Sequence, residues 1–424
     1  MAQLSKDSFA ADDRLMTVDE AVAAIFARMP CIEDVEPVSL IEAEGRVLAQ
    51  DLIAPRDLPG FDNSAVDGFA VRFDDLAPAV ETVLDLGGRA AAGHALAITD
   101  CRTAAGFAGK AVRIFTGAAM PEGMDTVFMQ EDCQRISDGR VSLPPGLSRG
   151  ANRRLRGEDI SVGETALRAG RRLRPEDLGL AAALGLDRLG VRRRLKVAIF
   201  STGDEIVSPG EPLKPSAVYD ANRFLLQGLL RRQGVSVTDL GVLADDTAEI
   251  RSAIRAAARE HDLVLTSGGV SMGEEDHVKA AICDEGALVF WRLAIKPGRP
   301  VAMGVIEGVP FVGLPGNPVA VFIAFAFIAR PLIAALSGAE FEPERRFPVK
   351  SGFAYKKKAG RREYVRVVVL TDSTGAMVAE KYGVEGAAVL TSLTRTHGLV
   401  ELPEDVVKVA PGDVINFIDY DLIR

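Results

Sequence analysis

From Leu195 onward the chain alternates apolar extended runs with amphipathic helical runs, and this alternation constrains the fold more than any other feature. "KVAIFSTGDE" reads as a strand ending in an acidic turn, and "YDANRFLLQGLLRRQG" as a helix closed by Gly234. "VSVTDLGVLADD" is the next strand, Thr247 is placed to cap "AEIRSAIRAAAREH", and "DLVLTSGG" is a third strand. "EDHVKAAICDEG" then reads as a helix, and "FVGLPG" as a strand leading into an apolar helix after Asn317. Such alternation implies an α/β domain with a parallel, doubly wound sheet and right-handed crossovers. Its ligands are expected beyond the carboxyl ends of the strands, where the strand order switches.

Four strand exits carry unusual chemistry: "STGDE" (201–205), "ADD" (244–246), "TSGGVSMGEED" (266–276) and "GLPGNP" (313–318). The glycines give close backbone approach and free N–H donors, and Asn317 with Pro318 starts a helix whose positive end faces the same crevice. These features suit phosphate. The acids Asp204, Glu205, Asp245 and Asp276, with Asp246, Glu274 and Glu275 beside them, would repel it unless a hard cation lay between. The implied ligand is a Mg²⁺-bridged phosphate or pyrophosphate. Downstream, "WRLAIKPGRP" supplies Arg292, Lys296 and Arg299, and an extended "RLAIK" would turn Arg292 and Lys296 to one side of a strand, toward an anion. Taken singly, each glycine loop also reads as an ordinary turn, the Asp245–Asp246 pair as a helix-entry cap and His277 as a surface residue. The concurrence at four exits carries the functional reading.

Before Leu195 the organisation differs. Thr17 and Glu20 form a capping box for "TVDEAVAAIFARM", which Pro30 ends, and Pro175 opens a second helix in "RPEDLGLAAALGL". Between them, "AVRIFTG" and "DTVFMQE" are short β runs among Gly, Pro and Asp. The expected organisation is an elongated helical domain (1–49 and 149–184) with an inserted β domain (50–148). The α/β domain (185–341) and a C-terminal β domain (342–424) follow, the last carrying "REYVRVVVL" and "GDVINFIDYDLI", which alternate like strands of a small barrel or sandwich. In the inserted domain "PGFDNSAVDGFAVR" crowds Asp62, Asn63, Ser64 and Asp67, and "RIFTGAAMPEG" adds a Thr-Gly turn. These are either ordinary β-turns or a holder for a many-acceptor heterocycle.

Composition narrows the function. With 424 residues, 48% hydrophobic and 26% charged, the chain is a soluble multidomain protein, and a net charge of −9 argues against nucleic-acid binding. Cys31, Cys101, Cys133 and Cys283 are scattered without a CxxC pair, which fits a reducing compartment and no structural zinc. "MAQLSKDSFAADDRL" lacks a signal-peptide apolar stretch, so a cytoplasmic location is expected. The run Val319 to Leu336 is apolar enough to raise a membrane span, but Arg330 and Pro331 interrupt it, and a buried core helix is the expectation.

Taken together, "PGFDNSAVDGFAV", "RIFTGAAMPEG", "RRLRGEDI", "FSTGDE", "TSGGVSMGEEDHVK", "LAIKPGRP" and "GLPGNPVA" resemble the molybdopterin molybdotransferase family, the MoeA proteins and the related gephyrin E domain. The resemblance runs from about Thr17 to the C-terminus. It implies an elongated homodimer of four-domain subunits in which molybdate enters adenylylated molybdopterin, AMP leaves, and the molybdenum cofactor results, with Mg²⁺ assisting. It implies Asp245, Asp276 and Glu205 at the metal and phosphates, and Lys296 with Arg292 at molybdate or a terminal phosphate. Ser201, Gly203, Gly268, Gly269, Ser271, Gly273, Arg299, Pro315, Asn317 and Pro318 would contact substrate. Asp67, Thr116, Arg154 and Asp159 would complete the pocket across the dimer. The expected protein partners are the preceding adenylyltransferase and cofactor-receiving apoenzymes. Leu155, Ala387 and His397 depart from the family pattern and bear on oxyanion selectivity. A tungstate-preferring paralogue, a molybdopterin adenylyltransferase and a non-catalytic scaffold are the alternatives.

Overall fold

A computed structural model describes residues 15–94, 97–98, 107–137, 139–269 and 286–423, with the backbone alone at 97–98, 137 and 286–291. Ser271, Gly273, Glu274, Glu275, Asp276, His277, Cys101, Cys283 and most of the "EDHVKAAICDEG" stretch lie outside the described residues. The chain divides into two compact units. One comprises Met1–Ala49, Gly170–Arg174 and Leu189–Arg424, and the other Gln50–Ala169 and Pro175–Arg188.

In the larger unit a six-stranded sheet runs in the order Ser236–Leu243, Lys196–Thr202, Leu263–Ser267, Val309–Leu314, Pro300–Ile306, Gly286–Arg292. The first four strands are parallel, and the switch in order falls between Lys196–Thr202 and Leu263–Ser267. The last two are antiparallel, so the sheet is mixed rather than parallel throughout. The cause is local: Glu307 and Gly308, both at positive φ (49° and 86°), form a two-residue turn that folds Pro300–Ile306 back on Val309–Leu314.

Helices cover both faces. Val197, Ile199, Leu263, Leu265 and Val312 pack toward helix Asn222–Arg232 and the apolar helix, whereas Ala198, Phe200, Val264 and Phe311 pack on helix Thr247–Glu260. The cap of that last helix is Asp246, not Thr247, because the Asp246 carboxylate accepts the Glu249 N–H at 2.8 Å. The expected capping box of Thr17 and Glu20 is formed, and helix Val18–Arg28 packs in the same core as the apolar helix.

The apolar helix spans Pro318–Ser337 and is long enough to cross a membrane, but 94% of its most apolar window is buried inside the protein. Pro331 does not interrupt it. The turn Phe325–Ala329 widens to π geometry just ahead of the proline, where an ordinary helix would lose a hydrogen bond and clash. Phe327 stacks on Tyr364 at 4.2 Å and Phe322 meets the edge of Tyr420 at 5.2 Å, so the C-terminal sheet covers the helix on its other side.

That C-terminal sheet is a closed barrel: Arg362–Thr371, Met377–Lys381, Phe347–Ser351, Val414–Asp419 and Gly398–Leu402 pair in turn, and the last returns to the first. Gly398 has no alternative, since a Cβ there would fall 2.1 Å from the Ile418 carbonyl oxygen. The two-residue strand Ile295–Lys296 adds in parallel to Arg362–Thr371. This corrects the expected continuous "RLAIK" strand. Arg292 ends a strand of the α/β sheet, Lys296 belongs to the barrel, and between them Leu293 N–H donates to Arg299 and Ala294 N–H to Met16.

The smaller unit is built on a seven-stranded sheet whose main path runs Thr126–Met129, Gly68–Val71, Lys110–Ile114, Thr82–Ala90, Arg140–Leu143, Gln134–Ser137. Alternation along Gly68–Val71 sends Ala70 to one core and Phe69 with Val71 to the other. Gly68 lets the strands close up, because a Cβ there would overlap the Phe128 carbonyl oxygen. Residues 149–174 hold short strands, Arg153–Arg154 and Thr165–Leu167, and helix begins only at Pro175.

Candidate active site

Three parallel strands deliver their last residues to one edge of the α/β sheet. Ser201 is level with Ser267, and Ser267 with Leu314. Gly268 turns there at φ +97°, and a Cβ on it would lie 2.6 Å from the Thr202 carbonyl oxygen. Gly203 (φ +140°) and Gly269 (φ +65°) also use left-handed backbone, so the exits pack more tightly than side chains would permit. Gly268 N–H donates to Leu314 at 3.1 Å, and the Ser267 hydroxyl to Pro315 at 3.2 Å. Asn317 caps the apolar helix by backbone position, with Pro318 at its first turn.

Asn222 was not singled out from sequence, yet its side-chain amide donates to Ser267 Oγ at 2.8 Å and to the Gly316 carbonyl at 2.7 Å. It thereby joins two strand exits to a helix start. Four buried polar atoms at this edge have no partner among the described residues: Ser201 Oγ, Thr202 Oγ1, Thr266 Oγ1 and Asn222 Oδ1. Buried hydroxyls and amides normally find a partner, so their concentration marks a place built for a polar ligand.

The acidic exits meet as a pair. Asp204 N–H donates to Asp245 Oδ2 and Asp245 N–H to Asp204 Oδ1, each at 3.3 Å, which brings the two carboxylates to one exposed spot. Glu205 folds its carboxylate over Gly203, 2.7 Å from where a Cβ would stand. This all-oxygen set suits Mg²⁺, although among the described residues no group of three His, Cys, Asp or Glu is placed to hold a metal ion. Asp246, assigned above to the helix cap, is withdrawn from that set.

Lys296 lines a cavity of about 300 Å³ with Tyr355, Glu363, Arg366, Lys381, Glu385 and Ala387. Its Nζ donates to Glu363 at 3.0 Å and to the Tyr355 hydroxyl at 3.3 Å, while Tyr355 donates to Glu363 at 2.9 Å. Glu363 is 2% exposed and so fixes the ammonium at the cavity wall. Burial works against the lysine's charge, but the bonds to Glu363 and Tyr355 outweigh it and hold its pKa above the usual lysine value. Arg366 Nη2 donates to the Gly386 carbonyl at 3.0 Å, and its Nε is buried without a partner among the described residues. Gly298 brings the loop against the apolar helix, where a Cβ would meet Ala320 O at 3.3 Å, and Val319 N–H donates to Ala387 O at 3.0 Å. The cavity therefore adjoins the positive end of that helix. Arg366 and Lys381 were missed because each reads as an ordinary charged position in a barrel strand. Arg292 is half-buried with its Nε unpartnered among the described residues, and Arg299 is exposed.

In the smaller unit, three sequence motifs converge. Gly117 N–H donates to Ser64, Met120 N–H to Asp62 and Asp159 N–H to Leu58, while Arg154 pairs with Asn63 across a short ladder. Asp67 accepts the Thr116 N–H and hydroxyl, both at 2.8 Å, and these bonds hold its carboxyl below the ordinary range. Arg154 and Asp159 present exposed side chains. Of the three departures, Leu155 is exposed, Ala387 lines the Lys296 cavity, and His397 accepts the Val369 N–H at 3.1 Å in the barrel.

Comparison with known proteins matches three stretches that together cover most of the chain. Residues 16–185 match the MoeA N-terminal region (domain I and II), 198–335 a probable molybdopterin binding domain, and 348–420 the MoeA C-terminal region (domain IV). The molybdopterin molybdenumtransferase of Haemophilus influenzae is 36% identical over 95% of this chain and 98% of its own length. Molybdopterin molybdenumtransferase 2 of Mycobacterium tuberculosis is 34% identical over 90% and 94%. The crystal structure of the molybdopterin biosynthesis MoeA protein from Pyrococcus horikoshii superposes with a TM-score of 0.80 at 30% identity, covering 96% of this chain and all of that one. With the strand-exit site, the barrel and the full-length matches in agreement, the chain belongs to the MoeA family of molybdopterin molybdenumtransferases.

Proposed function

We propose that the chain inserts molybdate into adenylylated molybdopterin, releasing AMP and giving the molybdenum cofactor. The observation that carries this reading is the reciprocal lock of Asp204 and Asp245 beside glycine-lined strand exits where the Ser201, Thr202 and Thr266 hydroxyls have no partner among the described residues. Carboxylates and a phosphate cradle at one place require a cation between them. Mg²⁺ held by Asp245, Glu205 and Asp276 would supply charge neutralisation to the pyrophosphate. The chain's own contribution is positioning. Backbone N–H groups at Gly203 and Gly269 receive phosphate oxygens, Gly268 N–H being committed to Leu314, and the Ser201 and Thr202 hydroxyls with the Asn222 amide oxygen fix the substrate's polar edge. Lys296, with Arg366 and Lys381, holds the molybdate oxyanion, and no protein nucleophile is needed.

The proposal includes a homodimer in which Asp67, Thr116, Arg154 and Asp159 of one subunit complete the pocket of the other. It also includes the four-domain division set out above and a cytoplasmic location. Asp245→Asn tests the metal role, because the amide oxygen can still accept the Asp204 N–H and keep the loops together. AMP release should fall by about 10²-fold with a raised Mg²⁺ requirement. An unchanged rate and Mg²⁺ response would remove the role.

A further inference from the structure

The Lys296 cavity contains its own anion. Glu385 forms an ion pair with Lys381 Nζ at the cavity wall, and the Lys296 and Lys381 ammonium groups lie 5.8 and 5.6 Å from the centre of the same Tyr355 ring. The hydrogen bond from Lys381, followed by the charges of Lys381, Lys296 and Arg366, keeps the Glu385 carboxyl below its ordinary range. One carboxylate thus feels all three cations that line the cavity.

We propose that Glu385 is a resident competitor for the oxyanion, occupying the cationic cavity until a tetrahedral dianion displaces its side chain from Lys381. The inference rests on reading this cavity as the oxyanion site. The two carboxylates of the cavity differ in freedom. Glu363 is 2% exposed and held by Lys296 and Tyr355, whereas the Glu385 side chain is 70% exposed and, among the described residues, held by Lys381. An exposed ion pair of this kind contributes little, so it yields at small cost. The backbone beneath it stays put, because Arg366 donates to Gly386 and Ala387 accepts from Val319. Displacement therefore needs only a side-chain rotation.

Charge gives the device a purpose. Lys296, Arg366 and Lys381 against Glu363 and Glu385 leave one net positive charge; with Glu385 rotated out, three cations against one carboxylate leave two. The emptied cavity matches a dianion such as molybdate or tungstate, and the filled cavity is protected from weakly held anions. Glu385 sets the affinity of the site by how strongly it competes, with no contact to the reacting atoms required.

The test is calorimetric titration of the full chain with molybdate, comparing the unaltered protein with Glu385→Gln and Lys296→Ala. Removing one like charge from the cavity wall at this exposure should tighten molybdate binding about tenfold in Glu385→Gln, and Lys296→Ala should weaken it. A tightening is a result that loss of structure cannot mimic. Weakened binding in Lys296→Ala together with unchanged or weaker binding in Glu385→Gln overturns the competitor alone. Unaltered affinity in Lys296→Ala, or no molybdate binding by any form, overturns the cavity reading and the competitor with it.

Discussion

At the strand exits, the chemistry comes from consecutive residues: Ser201 to Glu205, Ser267 to Gly269 and Pro315 to Pro318 each enter the crevice as one turn. At the Lys296 cavity it comes from side chains on three paired barrel segments: Lys296, Glu363 with Arg366, and Lys381 with Glu385 just beyond its strand. The first site is a product of backbone geometry, and the second of tertiary packing. The difference predicts distinct responses to mutation: the crevice should be sensitive to the smallest side chain added, and the cavity to the loss of a charge.

The largest effect is expected at the cavity. Lys296→Ala should lower cofactor formation by about 10²- to 10³-fold, as removal of an oxyanion partner does. Circular dichroism should show the fold intact, because Tyr355 still donates to Glu363. The raised pKa of Lys296 adds a pH test. Its folded value exceeds the ordinary one, so its charge persists at all lower pH and is lost only as pH rises through the folded value. Molybdate affinity should hold through neutral and mildly alkaline pH, and a decline centred near pH 7 would contradict the assignment.

Next comes the crevice. Gly268→Ala places a Cβ 2.6 Å from Thr202 O on a backbone at φ +97°, and should destabilise the chain by about 1–3 kcal/mol in chemical denaturation. Turnover should fall with it, whereas molybdate affinity at the cavity should not. Loss of both would mean that the two sites are not built independently. The smallest effect separates neighbouring acids: Asp246→Ala removes a helix cap and should cost about 1 kcal/mol while leaving the Mg²⁺ requirement unchanged. A shifted Mg²⁺ requirement would return Asp246 to the metal site.

The same contrast explains what could be read from sequence. Strand–helix alternation placed the four exits on one edge because parallel strands end together, and the glycines announced tight turns. Neighbours in sequence stay neighbours in space, so those motifs were legible. The antiparallel strands were missed because Glu307–Gly308 is a short turn inside one apolar stretch, and periodicity alone gives no strand direction. Lys296 was legible as a cation, but not its partners, since Glu363 and Arg366 sit in a strand that shows only alternation. Asn222 was missed for a similar reason: an Asn at a helix start is ordinary until the Ser267 and Gly316 it holds are seen beside it.

The central claim is that this crevice and cavity together exchange AMP for molybdenum. The direct measurement supplies the purified chain with adenylylated molybdopterin, molybdate and Mg²⁺, and follows AMP and molybdenum cofactor in parallel. The account predicts that the two appear in equal amounts and that both depend on molybdate. Consumption of ATP with unmodified molybdopterin, or AMP release that yields no cofactor and ignores molybdate, would contradict it.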